Sequence, residues 1–150
     1  MSQEQLNIIL AEDDIDDCNF FKRALTTGNL DANLTIVQNG EELMDLLAPA
    51  TNKLPHILFL DLNMPRKNGF ECLAEIRLNK DLQTLPVIVF STSFERDVVQ
   101  ELYAAGAQYF IRKPSDFDSF ARIILRTLDL IKNNDIQKPL LKDFVIQDIV

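Results

Sequence analysis

Four short apolar runs stand out along the chain: Leu6 to Ala11, Ile57 to Leu60, Val87 to Phe90 and Tyr109 to Ile111. A fifth, Leu34 to Val37, is weaker and alternates with polar residues. Between the runs, apolar residues recur at helical spacing. Cys18, Phe21 and Leu25 share one face of a first helix, and Leu43, Leu46 and Leu47 one face of a second. Phe70, Leu73 and Ala74 open a third helix, and Val98, Leu102 and Ala105 mark a fourth. A fifth is traced by Phe117, Phe120, Ala121, Ile124, Leu125, Leu128 and Ile131. All four glycines and all six prolines fall at or between these segments, where they cost least.

Strands that alternate with helices build a parallel sheet covered on both faces. Apart from Asn7, the runs at 6–11, 57–60 and 87–90 are apolar on consecutive residues, as doubly covered strands are. Those at 34–37 and 108–112 carry more polar residues and suit the two edges. The expectation is an α/β fold, a flavodoxin-like (βα)5 doubly wound sheet with strand order 2-1-3-4-5. In such sheets ligands bind beyond the carboxyl ends of the strands, here at the switch point between the first strand and the third.

Composition narrows the classes. The 47% hydrophobic and 25% charged content is that of a soluble globular chain, and 150 residues suffice for one domain with a sizeable core. No apolar run approaches the ~20 residues of a membrane span, and residues 1–5 do not resemble a secretory signal, so a cytoplasmic location is expected. A net charge of −8 argues against nucleic acid and anionic lipid as partners. Cys18 and Cys72 lack CxxC spacing and read as small buried apolar groups.

The chemistry lies at the strand tips. The first strand runs into Glu12, Asp13 and Asp14, and the third ends at Asp61. Neighbouring strands lie roughly 4.8 Å apart, so these carboxylates share one crevice. Crowded negative charge calls for a hard divalent cation, Mg²⁺ or Mn²⁺. Asp14, Asp16 and Asp17 also suit a plainer task, complementing the dipole of the first helix. Ser91, Thr92 and Ser93 follow the fourth strand, and Lys113-Pro114 the fifth, at the same edge. A hydroxyl and an ammonium beside a metal and a carboxylate are what a phosphorylated aspartate needs. Asp61 is then the nucleophile, Lys113 neutralises phosphoryl oxygens, and Ser91 donates to one of them.

Four segments carry a resemblance: Ile-Ile-Leu-Ala-Glu-Asp-Asp (8–14), Leu-Phe-Leu-Asp-Leu-Asn-Met-Pro (58–65) with Gly69, Val-Ile-Val-Phe-Ser (87–91), and Gly-Ala-Gln-Tyr-Phe-Ile-Arg-Lys-Pro (106–114). Together they resemble the response-regulator receiver domains of two-component signalling. The resemblance implies that Asp61 is the phospho-acceptor, that Glu12 and Asp13 are the acidic metal pair, and that the Asn63 backbone carbonyl is a further metal ligand. Ser91 takes the switch hydroxyl's place, Phe110 that of the switch aromatic, and Lys113 that of the active-site lysine. It also implies a cis Lys113–Pro114 bond. Ser91 replaces a commoner Thr, Phe110 a common Tyr, and Glu12 a more frequent Asp. The second-strand spacing and Glu41-Glu42 are similar to single-domain regulators that partner phytochrome-type sensor kinases.

The partners implied are a sensor histidine kinase or histidine phosphotransfer protein and an unknown downstream protein, with no enzymatic action beyond the domain's own phosphorylation and dephosphorylation. Switching follows as a population shift: Ser91 and Lys113 move towards the phosphoryl group, and Phe110 rotates inward behind Ser91. That remodels the surface of the fourth helix, fifth strand and fifth helix. Such a shift takes roughly 5 kcal/mol, to which burying the ring would contribute.

The expected domain spans residues 1–132. Residues 133–150 are too short for a DNA-binding output domain, yet Leu140, Leu141, Phe144, Val145 and Ile149 are too apolar for a solvated tail. They form either an arm folded on their own domain or a dimerisation tail. His56 reads as a strand-entry residue, and Arg66 and Lys67 as solvated loop charges. Two other functions suit the fold less well. A flavin carrier would meet repulsion from Glu12, Asp13 and Asp14. An aspartyl phosphatase of the haloacid-dehalogenase type would want its nucleophile on the first strand and an acid where Asn63 stands.

Overall fold

The computed structural model describes residues 5–48, 54–93, 95–133 and 138–147. The elements run β1 (Leu6–Ala11), α1 (Ile15–Thr27), β2 (Ala32–Val37), α2 (Gly40–Leu47), β3 (Ile57–Asp61), α3 (Gly69–Leu78), β4 (Val87–Ser91), α4 (Arg96–Ala105), β5 (Tyr109–Arg112), α5 (Phe117–Asn133) and β6 (Val145–Ile146). All strand pairings are parallel, in the order β2-β1-β3-β4-β5-β6. Among the described residues no helix is long and apolar enough to cross a membrane.

The pleat sends alternate residues to opposite layers. Ile9, Ala11, Leu58, Leu60, Val87, Val89 and Phe110 pack with Leu43 and Leu47 of α2, Cys72, Leu73 and Ile76 of α3, and Val99 and Leu102 of α4. Ile8, Leu10, Ile57, Phe59, Ile88, Phe90 and Ile111 pack on the other face with α1 and α5, through Cys18, Phe21, Phe120, Ile123 and Ile124. β3 and β4 are buried along their whole length, as their unbroken apolar runs require.

Four expectations are corrected. The strand at 109–112 is not an edge, because β6 adds to it with Phe110 opposite Val145 and Ile111 opposite Ile146. The buried face of α3 is Cys72, Leu73 and Ile76, while Ala74 faces solvent and Phe70 is half-buried. The helix starts at Gly69 with Asn68 and Glu71 in a capping box, and that start sets which residues turn inward. On α4, Val99 and Leu102 turn inward and Ala105 is exposed. There is no cis peptide among the described residues, so Lys113–Pro114 is trans, the isomer favoured by about 0.5–1 kcal/mol.

Residues 138–147 run back along β5. Phe144 is fully buried in the same layer as Phe110, and Ile146 is buried in the opposite layer. Ile149 and residues 1–4 lie outside the described residues.

Candidate functional site

The carboxyl ends of β1, β3, β4 and β5 each deliver a polar group to one edge of the sheet. Glu12 follows β1, fully buried, and its N–H donates to Val37 O at 2.9 Å. Asp13 is exposed, and Asp14 caps α1 by accepting from the Asp17 N–H at 3.1 Å. Asp61 is the last residue of β3 and is 4% exposed. Carboxylate oxygens of Glu12, Asp13 and Asp61 lie within 4.8 Å of one another. An all-oxygen set of three acids suits a hard divalent cation such as Mg²⁺ or Mn²⁺.

Lys113 is the counter-charge. Its Nζ donates to Glu12 Oε1 at 2.6 Å and to Asp17 Oδ2 at 2.9 Å, and lies 3.6 Å from Asp61 Oδ1. The ammonium also stands 4.7 Å from the Phe90 ring centroid. Burial works against its charge, but the hydrogen bonds to Glu12 and Asp17 outweigh that and raise its pKa. Glu12 goes the other way from an ordinary acid. Burial, and then the hydrogen bond with the Asp61 carboxyl, push its pKa up to about 8 against the pull of Lys113. Near neutral pH that shift favours the protonated form of Glu12.

Ser91 ends β4, is 1% exposed, and accepts at Oγ from the Ser93 N–H at 3.1 Å. Its carbonyl accepts from the Lys113 N–H at 2.9 Å, tying the tips of β4 and β5 together. The Asn63 N–H points at Asp61 Oδ1 from 3.4 Å. A cleft of about 650 Å³ opens beside these groups, lined by Asp13, Asn63, Met64, Pro65, Ser91, Ser93 and Glu95 among others. Gly69 holds the cleft floor in place. Its N–H closes the loop onto Leu62 O at 3.0 Å, and a Cβ there would stand 2.7 Å from Asp61 O.

The structure thus brings together Glu12, Asp13, Asp61 and Lys113, with Ser91 and Asn63 on the cleft wall. It does not put Phe110 there. The ring is fully buried beneath the returning arm, so the expected gain from burying it on activation is absent. His56 is at the far end of the sheet, where its Nδ1 accepts from the Asn7 N–H at 2.9 Å and its own N–H returns to Asn7 O. The structure adds Asp17, an acid placed to complement the helix dipole that also pairs with Lys113. The available signal was its place in the first turn of α1, directly after the tip of β1 that carries Glu12.

The response regulator receiver domain profile matches residues 8–125. Response regulator Rcp1 of Synechocystis sp. is 31% identical over 121 residues, 78% of this chain and 82% of that protein. A probable methanogenesis regulatory protein, FilR2, of Methanothrix harundinacea is 25% identical over 82% of this chain and 81% of its own length. Among solved structures, the phosphorylated cyanobacterial phytochrome response regulator RcpA superposes with a TM-score of 0.79 at 28% identity, covering 87% of this chain and 96% of that one. The Mn²⁺-bound form of Rcp1 does so with a TM-score of 0.76 at 28% identity, covering 90% and 99%.

Proposed function

The chain belongs to the response regulator receiver domain family, and from that membership we propose that Asp61 takes a phosphoryl group from a cytoplasmic sensor histidine kinase or phosphotransfer protein. The reading is supported above all by Glu12, Asp13 and Asp61 converging within 4.8 Å with the Lys113 ammonium among them. Glu12, Asp13, Asp61 and the Asn63 carbonyl would hold Mg²⁺ or Mn²⁺. The ion supplies neutralisation of the transferring phosphoryl oxygens.

An Asp61 carboxylate oxygen forms the new bond to phosphorus as the donor's P–N or P–O bond breaks, and the leaving group keeps that electron pair. Asp61 is the last residue of a fully buried strand, with its backbone in register with Phe90 of β4 and its carboxylate accepting from the N–H of Asn63 on the cleft wall. Lys113 turns from Glu12 towards the phosphoryl oxygens, a short move given its 3.6 Å from Asp61. Ser91, whose oxygen accepts from Ser93, donates its own proton to a phosphoryl oxygen. The chain acts on no substrate besides its own aspartate. The outcome is a changed protein-interaction surface on α4, β5 and α5. Because Phe110 is already covered, the change is a repacking of that ring rather than a burial.

Intact mass after incubation with acetyl phosphate tests this. One added phosphoryl group that requires Mg²⁺ and vanishes in Asp61→Asn is expected. Equal uptake by Asp61→Asn would remove the nucleophile assignment.

A further inference from the structure

The arm at residues 138–147 is seated on the residues that the proposed switch would move. The Phe110 N–H donates to Phe144 O at 3.0 Å, and Val145 pairs with Phe110 across the β5–β6 ladder. On α4, the Tyr103 hydroxyl donates to Pro139 O at 2.7 Å, and its ring meets Phe144 edge-on with centroids 5.1 Å apart. Lys138 lies over that ring, 4.0 Å from its centroid, and donates to the Tyr103 carbonyl. Two elements are bound to one arm, and they are the α4 and β5 of the surface named above.

The seat is also thin. Within the arm's described residues only Phe144 and Ile146 are buried, while Leu140 is 63% and Leu141 44% exposed. β6 is two residues long. An element held by two side chains and a handful of hydrogen bonds belongs to the least stable parts of a fold, which open first.

We infer that residues 138–147 are an internal latch on the α4–β5 face, closed while Phe110 keeps its present position and released when Asp61 is phosphorylated. The inference rests on the reading that Asp61 accepts the group and that Phe110 follows Ser91. Val89 and Phe110 are paired on neighbouring strands, two residues before Ser91 and in the layer that holds Phe144. A ring drawn towards β4 withdraws the packing under Phe144 and turns the N–H that holds its carbonyl. A protein partner for α4 and β5 then finds them uncovered; with the latch closed it must first displace the arm.

Hydrogen exchange of the full chain, followed on peptides covering 138–147 with and without acetyl phosphate and Mg²⁺, tests the latch. The same samples are weighed intact to count phosphoryl groups. Exchange at least tenfold faster in the phosphorylated chain is expected. Unchanged or slower exchange in a phosphorylated sample overturns the latch and leaves the Asp61 reading standing. Absence of the phosphoryl group overturns both, at the earlier step.

Coupling between two conformational equilibria is reciprocal, so an arm already loosened is expected to favour the phosphorylated conformation. Phe144→Ala is expected to raise steady-state phosphoryl occupancy. Tyr103→Phe, which loses only the hydroxyl contact to Pro139, is expected to do so less. Occupancy that stays level or falls in both variants, with arm exchange already fast, overturns the proposal.

Discussion

The Lys113 ammonium lies a full ångström nearer to Glu12, at 2.6 Å, than to Asp61, at 3.6 Å. The resting site therefore holds its cation on the acid that would ligate metal and keeps it in waiting for the acid that would react. Replacing Lys113 by Met leaves Glu12 buried against other carboxylates. A buried charge stripped of its partner costs roughly 3–5 kcal/mol, but Glu12 can escape much of that by keeping its proton. The expected destabilisation is therefore small at pH 6 and grows as pH rises past about 8, where Glu12 of the parent chain ionises. Urea unfolding at pH 6 and pH 9 measures it, and a loss equal at both would count against the pairing.

On the proposed metal assignment, proton and metal would compete for Glu12. Glu12 has an ordinary pKa of 4.5 when unfolded and about 8 when folded, so the metal-free fold binds the extra proton between those values. Its contribution to stability is complete below pH 4.5 and is lost as pH rises through 8. A divalent cation must expel that proton, so affinity for Mg²⁺ is expected to climb up to tenfold per pH unit below 8 and level off above it. Calorimetric titration with Mg²⁺ from pH 6 to pH 9 would show the slope; a flat affinity across pH 6 to 8 rules the shared proton out.

Gly69→Ala puts a methyl group 2.7 Å from the Asp61 carbonyl and 2.9 Å from the Leu62 Cα. Backbone, not a flexible side chain, would have to yield. The cost expected from such overpacking is about 1–3 kcal/mol. Phosphoryl uptake should fall as well, since the atoms displaced are those that aim the Asp61 carboxylate. Thermal unfolding and intact mass on one preparation give both numbers. Parent-like uptake would mean that the loop tolerates the shift.

Asp17→Ala removes one of two acceptors from Lys113 while Glu12 keeps the other. Asp17 is partly open to solvent, so the effect on stability is expected to stay within about 1 kcal/mol. A lysine with one tether fewer should turn to the phosphoryl group more readily, and a higher steady-state phosphoryl occupancy is the predicted sign. Lower occupancy would give Asp17 a different task.

What could be read from the residues alone divides along a physical line. β3, β4 and the second part of β1 announce themselves because a strand covered on both faces is apolar at successive steps, and Asp61 stands out because its run stops on a charge. The layout of Glu12, Asp61, Ser91 and Lys113 follows from strand order alone. β6 could not be read that way. Its two residues carry no period, and the arm's two buried side chains, Phe144 and Ile146, serve different layers. The burial of Phe110 was hidden for the same reason, since it depends on a contact 34 residues further along. Asp17 was obscured by a sound rule, that acids favour a helix start, which is satisfied here at the same time as the bond to Lys113.

β6 is the border of the sheet beside β5. With the last strand only two residues long, that border gives a foreign chain almost no backbone to copy. Lifting it would lay bare the four-residue rim of β5, whose amides and carbonyls then need new company. A population held switched on for long would accordingly be the one prone to sticking to itself, and a brief signal would be the safer one.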